Sequence, residues 1–112
     1  MKGVYLIGYI KTSDIRILKS ASLIKKSVLK VCRAMGFNVV GENYHLFKTH
    51  HGITYCFILS QSHFTVHTWP EESRIFFDIF ACNASIDEKK CIEVLSKEFK
   101  GKAKEIKKAY YK

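Results

Sequence analysis

The 112-residue chain predicts an α+β fold, a two-layer sandwich in which one antiparallel sheet carries two helices on one face. Three observations lead there. Strand-like runs outnumber helical ones and several follow one another directly. The two helical stretches are amphipathic, which suits packing on one side only. No stretch has the length or the Gly, Pro and Ser content of a linker, so a single domain spans residues 1–112. One sheet face then lacks cover from the chain itself, and a second subunit is the simplest cover, which predicts a homodimer.

Val4 to Ile10 is rich in β-branched and aromatic residues and reads as a strand. Thr12, Ser13 and Asp14 supply turn and N-cap chemistry for a helix running to Met35. Its apolar residues Leu18, Ile24, Val28, Val31, Cys32 and Met35 recur at helical spacing, and Gly36 sits where a helix stops. Strands are expected over 37–47, with an irregular middle, over 52–60, over the alternating run 63–69 and over the aromatic run 74–82. Trp69 to Ser73 joins the last two. Ser85 followed by Glu88 has the form of a capping box and opens a second helix, with Ile86, Ile92, Leu95 and Phe99 on one face and Gly101 as its stop. Residues 103–111 are either a final edge strand or a frayed basic tail.

Nineteen Lys and Arg against ten Asp and Glu give a formal net charge of +9. The lysines gather at Lys19, Lys25, Lys26 and Lys30 and again from Lys97 to Lys112, where solvent-facing helix and C-terminal surface are expected. They are read as solvated charges, and neither a nucleic-acid nor a membrane partner is expected. Cys32, Cys56, Cys82 and Cys91 form no CxxC pair. The apolar start, Met1 to Ile10, is short and meets Lys11 with no small-residue cleavage site. A cytoplasmic protein with reduced thiols is expected. His63, His67 and Cys82 lack the paired spacings of zinc sites, so no metal is expected.

Chemistry concentrates in Gln61-Ser62-His63-Phe64-Thr65-Val66-His67-Thr68-Trp69-Pro70-Glu71. If strands 63–69 and 74–82 form a hairpin, position 69 pairs with 74, 67 with 76 and 61 with 82. Cys82 then stands beside Ser62 at the open end, and a one-residue slip would change its face but not its place along the strand. A serine, a cysteine and a histidine can thus converge.

The run Ser-His-x-x-x-His-Thr-Trp-Pro-Glu at 62–71, followed by Asp-x-Phe-x-Cys at 78–82, resembles the motif of the prokaryotic S-adenosylmethionine decarboxylases, and chain length and element order fit as well. The resemblance implies a proenzyme that cuts itself between Gln61 and Ser62 into a β chain, 1–61, and an α chain, 62–112. Ser62 would become a pyruvoyl group that forms a Schiff base with the substrate amine, in place of a separate cofactor. It implies that His67 assists processing, that Thr54 stands where the family often has a serine with the same task, and that Cys82 returns a proton to the substrate. It also implies that Phe47 stacks on adenine and that Glu71 lies near the ribose. The expected reaction turns S-adenosylmethionine into its decarboxylated form and CO2 for spermidine synthesis. Relatives on this fold act on arginine or ornithine, which is the alternative substrate class. A non-processing homologue serving as a regulatory partner or basic binding module is the other alternative. The chain departs from the family pattern in Gln61, where Glu is usual, and in Glu72 to Phe77, where a Tyr-Gly-Tyr-like turn and small residues are usual.

Overall fold

Alternation of apolar and polar side chains sets the sheet. In β5 (Arg74–Cys82) every second residue, Ile75, Phe77, Ile79 and Ala81, is buried, and β4 (Ser62–Trp69) buries Phe64, Val66 and Thr68 in the same way. The two pair antiparallel with Trp69 opposite Arg74, His67 opposite Phe76 and Ser62 opposite Ala81, the register expected from the sequence. A 3-10 turn, Pro70–Glu72, joins them, with Ser73 in the left-handed region at φ 54°.

The computed structural model describes residues 2–82 and 85–112. Its elements in order are β1 (Gly3–Thr12), α1 (Ile15–Leu18), α2 (Ala21–Met35), β2 (Val39–Leu46), β3 (Ile53–Leu59), β4, β5, α3 (Glu88–Glu98) and β6 (Gly101–Tyr111). They form one six-stranded sheet in the order β2-β3-β4-β5-β1-β6, with every neighbouring pair antiparallel. The helices lie on one face, where Leu18, Ile24, Val28, Val31, Leu95 and Phe99 close over the buried strand residues as one core. The α+β sandwich expected from the sequence is therefore the fold.

Three expectations change. The first helical stretch is two helices, not one. Asp14 caps α1 by accepting from the Arg16 amide at 3.1 Å, and Ser20 starts α2 afresh by accepting from the Leu23 amide at 3.2 Å. The buried Thr68 hydroxyl donates to the Leu18 carbonyl at 2.7 Å and accepts from the Ile53 amide at 2.8 Å, so tertiary contact ends α1 where periodicity alone would continue it. The cap of α3 is Asp87, which accepts from the Lys90 amide at 3.1 Å, and not Ser85, which is exposed ahead of the helix. Residues 101–111 are a strand in full: the Thr12 hydroxyl donates to the Phe99 carbonyl at 2.6 Å, which turns the chain back along β1. A bulge in the β1–β6 pair puts Glu105 at φ 52° and seats Ile106 against Gly8, where a Cβ would collide with it.

The other sheet face is open. It carries Tyr5, Ile7 and Tyr9 from β1, Arg74, Phe76, Asp78, Phe80 and Cys82 from β5, and His63, Thr65, His67 and Trp69 from β4. Ile58 on β3 and Trp69 are 56% and 41% exposed there.

Candidate active site

Ser62 opens β4 directly after the two-residue turn Ser60-Gln61, opposite both Leu59 and Ala81. Its φ is 154°, a region that only glycine adopts freely. The carbonyl oxygen of Gln61 accepts the Cys82 backbone N–H at 2.8 Å. Cys82, half-buried, ends β5 one position beyond the residue facing Ser62 and opposite Gly3. The sequence thus brought Ser62 and Cys82 to one end of the sheet correctly.

The histidine at that end is His63. Its Nε2 lies 3.3 Å from Asp78 Oδ1, close enough for an ion pair but off the geometry of a hydrogen bond, so this buried carboxylate oxygen has no hydrogen-bond partner. Tyr5 meets the His63 ring edge-on at 5.9 Å. Burial pushes the Tyr5 phenol upward from its ordinary value, and the Asp78 charge and Tyr111 add to this. Sequence reading passed over this His63–Asp78 pair. The signal was present, since residues 63 and 78 stand within two rungs of one another in the predicted hairpin.

His67 and Thr54 lie elsewhere. Thr54 Oγ1 is 3.1 Å from His67 Nδ1 across the β3–β4 pair. Five residues along β4 separate His67 from Ser62, which is about 16 Å at the rise of an extended strand. Phe47 joins the His67 end. It stacks on His50 at 5.5 Å, and His50 stacks in turn on Trp69 at 5.8 Å. The Gly52 amide donates to His50 Nδ1 at 3.1 Å and so fixes the ring. Phe47, His50, Thr54, His67, Thr68 and Trp69 line a cavity of about 160 Å³. Glu71 is exposed on the 3-10 turn that follows Trp69. The site residues expected from the sequence therefore form two clusters at opposite ends of β4: Gln61, Ser62 and Cys82 at one, Phe47, Thr54, His67 and Glu71 at the other.

Among the described residues no group of three or more His, Cys, Asp or Glu side chains could hold a metal ion, and no helix is long and apolar enough to cross a membrane. All four cysteines are free thiols. Burial pushes the Cys32 thiol up to about 11 and that of Cys91 to about 12.

The fold is that of a small two-layer α+β protein, with Ser62, Cys82 and the hydrogen-bonded Gln61 carbonyl at one end of its single sheet. The chain belongs to the S-adenosylmethionine decarboxylase family, whose model matches residues 5–110. It is 30% identical over 100 residues to the S-adenosylmethionine decarboxylase proenzyme of Thermotoga maritima, covering 89% of this chain and 76% of that one. It is 34% identical over 90 residues to the proenzyme of the same name from Clostridium botulinum strain Langeland, covering 80% and 77%. The crystal structure of the adenosylmethionine decarboxylase from Aquifex aeolicus VF5 has the same fold, with a TM-score of 0.78 at 19% identity over 97% of this chain and 88% of that one.

Proposed function

We propose that this protein is a pyruvoyl-dependent carboxy-lyase that cuts itself between Gln61 and Ser62 and then converts S-adenosylmethionine to decarboxylated S-adenosylmethionine and CO2. The observation that carries the reading is the junction itself, a serine at φ 154° whose preceding carbonyl oxygen accepts a backbone N–H at 2.8 Å. That oxygen is where negative charge grows when the carbonyl carbon is attacked, and the Cys82 amide is already aimed at it.

In processing, Ser62 Oγ adds to the Gln61 carbonyl carbon and the C–N bond breaks, so the amide becomes an ester and the Ser62 amine is freed. Loss of the α-proton of residue 62 expels the Gln61 carboxylate. The resulting enamine takes up water and releases ammonia, leaving a pyruvoyl ketone at the head of 62–112 and a carboxylate at the end of 1–61. The residue present fits that group, since its three carbons are those of Ser62. In the decarboxylation the ketone supplies an electron sink for the breaking C–C bond.

The chain's own side chains do the rest. Cys82, which ends β5 one position beyond the residue facing Ser62, carries the proton delivered to the α-carbon as CO2 leaves. Phe47, His50 and Trp69 offer flat walls for adenine, and Glu71 on the adjoining turn is an acceptor for ribose hydroxyls. Stacked aromatic walls suit an adenine ring, which arginine and ornithine lack, and this favours S-adenosylmethionine. His67, oriented by Thr54, takes the proton in processing. Since it stands about 16 Å from its own Ser62, the reading gives it to Ser62 of a second copy. A two-fold axis lying along the open face and across its strands would set each Ser62 end against the other chain's His67 end and cover the face.

The test is intact mass under denaturing conditions, followed by CO2 release from S-adenosylmethionine, arginine and ornithine in turn. Fragments 1–61 and 62–112, the second with a ketone in place of its amine, and release from S-adenosylmethionine alone are expected. A single chain of 13.0 kDa after long incubation would overturn the reading.

A further inference from the structure

Two-residue β-hairpin loops favour turns with a positive φ at the first loop residue or at both, because only those match the twist of the flanking strands. The β3–β4 loop breaks this rule. Leu59 pairs with Ser62, so Ser60 and Gln61 are the two loop residues, and neither has a positive φ. The positive φ falls one residue later, on Ser62.

The Gln61 side chain holds the loop in that form. Its Oε1 accepts from the Asn38 amide at 3.3 Å and from the Ser60 hydroxyl at 3.1 Å, and its Nε2 donates to the Gly36 carbonyl at 3.3 Å. Gly36 is the left-handed C-cap of α2 at φ 74°, so the loop is tied to the end of the longest helix. The Ser60 amide donates to the Asn38 carbonyl at 2.8 Å and adds a backbone tie to the same segment. Two donors meet Oε1 and one acceptor meets Nε2, an arrangement that a carboxamide satisfies and an ionised carboxylate does not. A carboxylate would set two acceptors face to face at Gly36.

We infer that the Gln61 side chain is a positioning residue for self-cleavage: it clamps the β3–β4 loop to the end of α2, which loads the unfavourable φ onto Ser62 and keeps the Gln61 carbonyl on the Cys82 amide. The inference rests on the self-cleavage reading for its consequence and on the hydrogen bonds above for its geometry.

The experiment has two arms. In the first, cleavage of the newly made chain is followed by mass for wild type, Gln61→Ala, Gln61→Glu and the loop variant Ser60→Asn/Gln61→Gly, which permits a relaxed turn. Gln61→Ala and the loop variant should cleave at least about tenfold more slowly at neutral pH, a rise of about 1.4 kcal/mol in the barrier. The ratio of Gln61→Glu to wild type should climb on acidification, as a protonated carboxyl regains a donor for Gly36. A merely structural loss would leave that ratio flat. In the second arm, hydrogen exchange is read in the Ser62→Ala chain, which cannot cleave. Adding Gln61→Ala should speed exchange of the Cys82 amide while the Leu6 amide, in the core of β1, stays as slow as before. A wild-type cleavage rate in Gln61→Ala, or an unchanged Cys82 amide, would overturn the inference. If wild type stays whole while the Cys82 amide responds as expected, the self-cleavage reading falls and the clamp stands.

Discussion

Asp14 shows how one side chain can carry an acid response. It caps α1, and the hydrogen bond from the Arg16 guanidinium holds its carboxyl at about 2 against an ordinary 3.8, with the Arg16 amide and Lys100 adding to this. A carboxyl lowered on folding stabilises the fold above its unfolded value and ceases to do so as pH falls through its folded one. Asp14→Asn keeps the capping oxygen and removes the charge. Its stability deficit in urea titrations should be constant above about pH 5 and close between about pH 4 and pH 2. Cys32 and Cys91 make a second residue-scale prediction. Buried and held as thiols, they should resist alkylation at neutral pH while Cys56 and Cys82 react, and all four should label in denaturant, as read by mass. Ser62 and Cys82 were legible because a short hairpin fixes its own register. The separation of His67 from Ser62 was implicit in the strand assignment, since five positions of extended chain carry it far along β4, but the motif alone does not display it.

Elements owe their limits to tertiary contacts that periodicity does not reveal. Helix spacing over 15–35 is continuous in the sequence, yet the chain breaks at Ser20, where a second cap and the Thr68 hydroxyl compete for the backbone. Thr68 sits in the middle of the motif that carries the family resemblance, and its work is structural. Thr68→Val keeps the shape and strands the Ile53 amide and the Leu18 carbonyl, so a loss of about 2 kcal/mol or more is expected in denaturant titration. Phe57, fully buried at the centre of β3, should cost about 3–5 kcal/mol as Phe57→Ala. The strands were the readable part, since alternation survives folding unchanged. The caps were not: Ser85 with Glu88 has the form of a capping box, but Asp87 lies closer to the helix and takes the Lys90 amide.

At the scale of the molecule, the proposed pairing of two copies has a sharp genetic consequence. A chain with His67→Ala keeps a competent Ser62, and a chain with Ser62→Ala keeps a competent His67. Each alone should stay whole. Produced together, they should yield cleavage of the His67→Ala chain only, visible as fragments carrying that chain's mass. Cleavage of the His67→Ala chain by itself would remove His67 from the processing step, and no cleavage in the mixture would remove its action across the pair.

The strand order β2-β3-β4-β5-β1-β6 has one more implication. A cut after Gln61 would leave β1, β2 and β3 on one fragment and β4, β5 and β6 on the other. In the sheet β1 would then sit between two strands of the second fragment, like a finger in a closed hand. The two pieces could not drift apart without undoing three ladders, so the nicked protein would keep its native size. Denaturation would erase that history. The cleaved halves would have to find each other again at a rate set by their concentration before the sheet could form, while the uncut Ser62→Ala chain would rebuild its own sheet at a rate that ignores dilution.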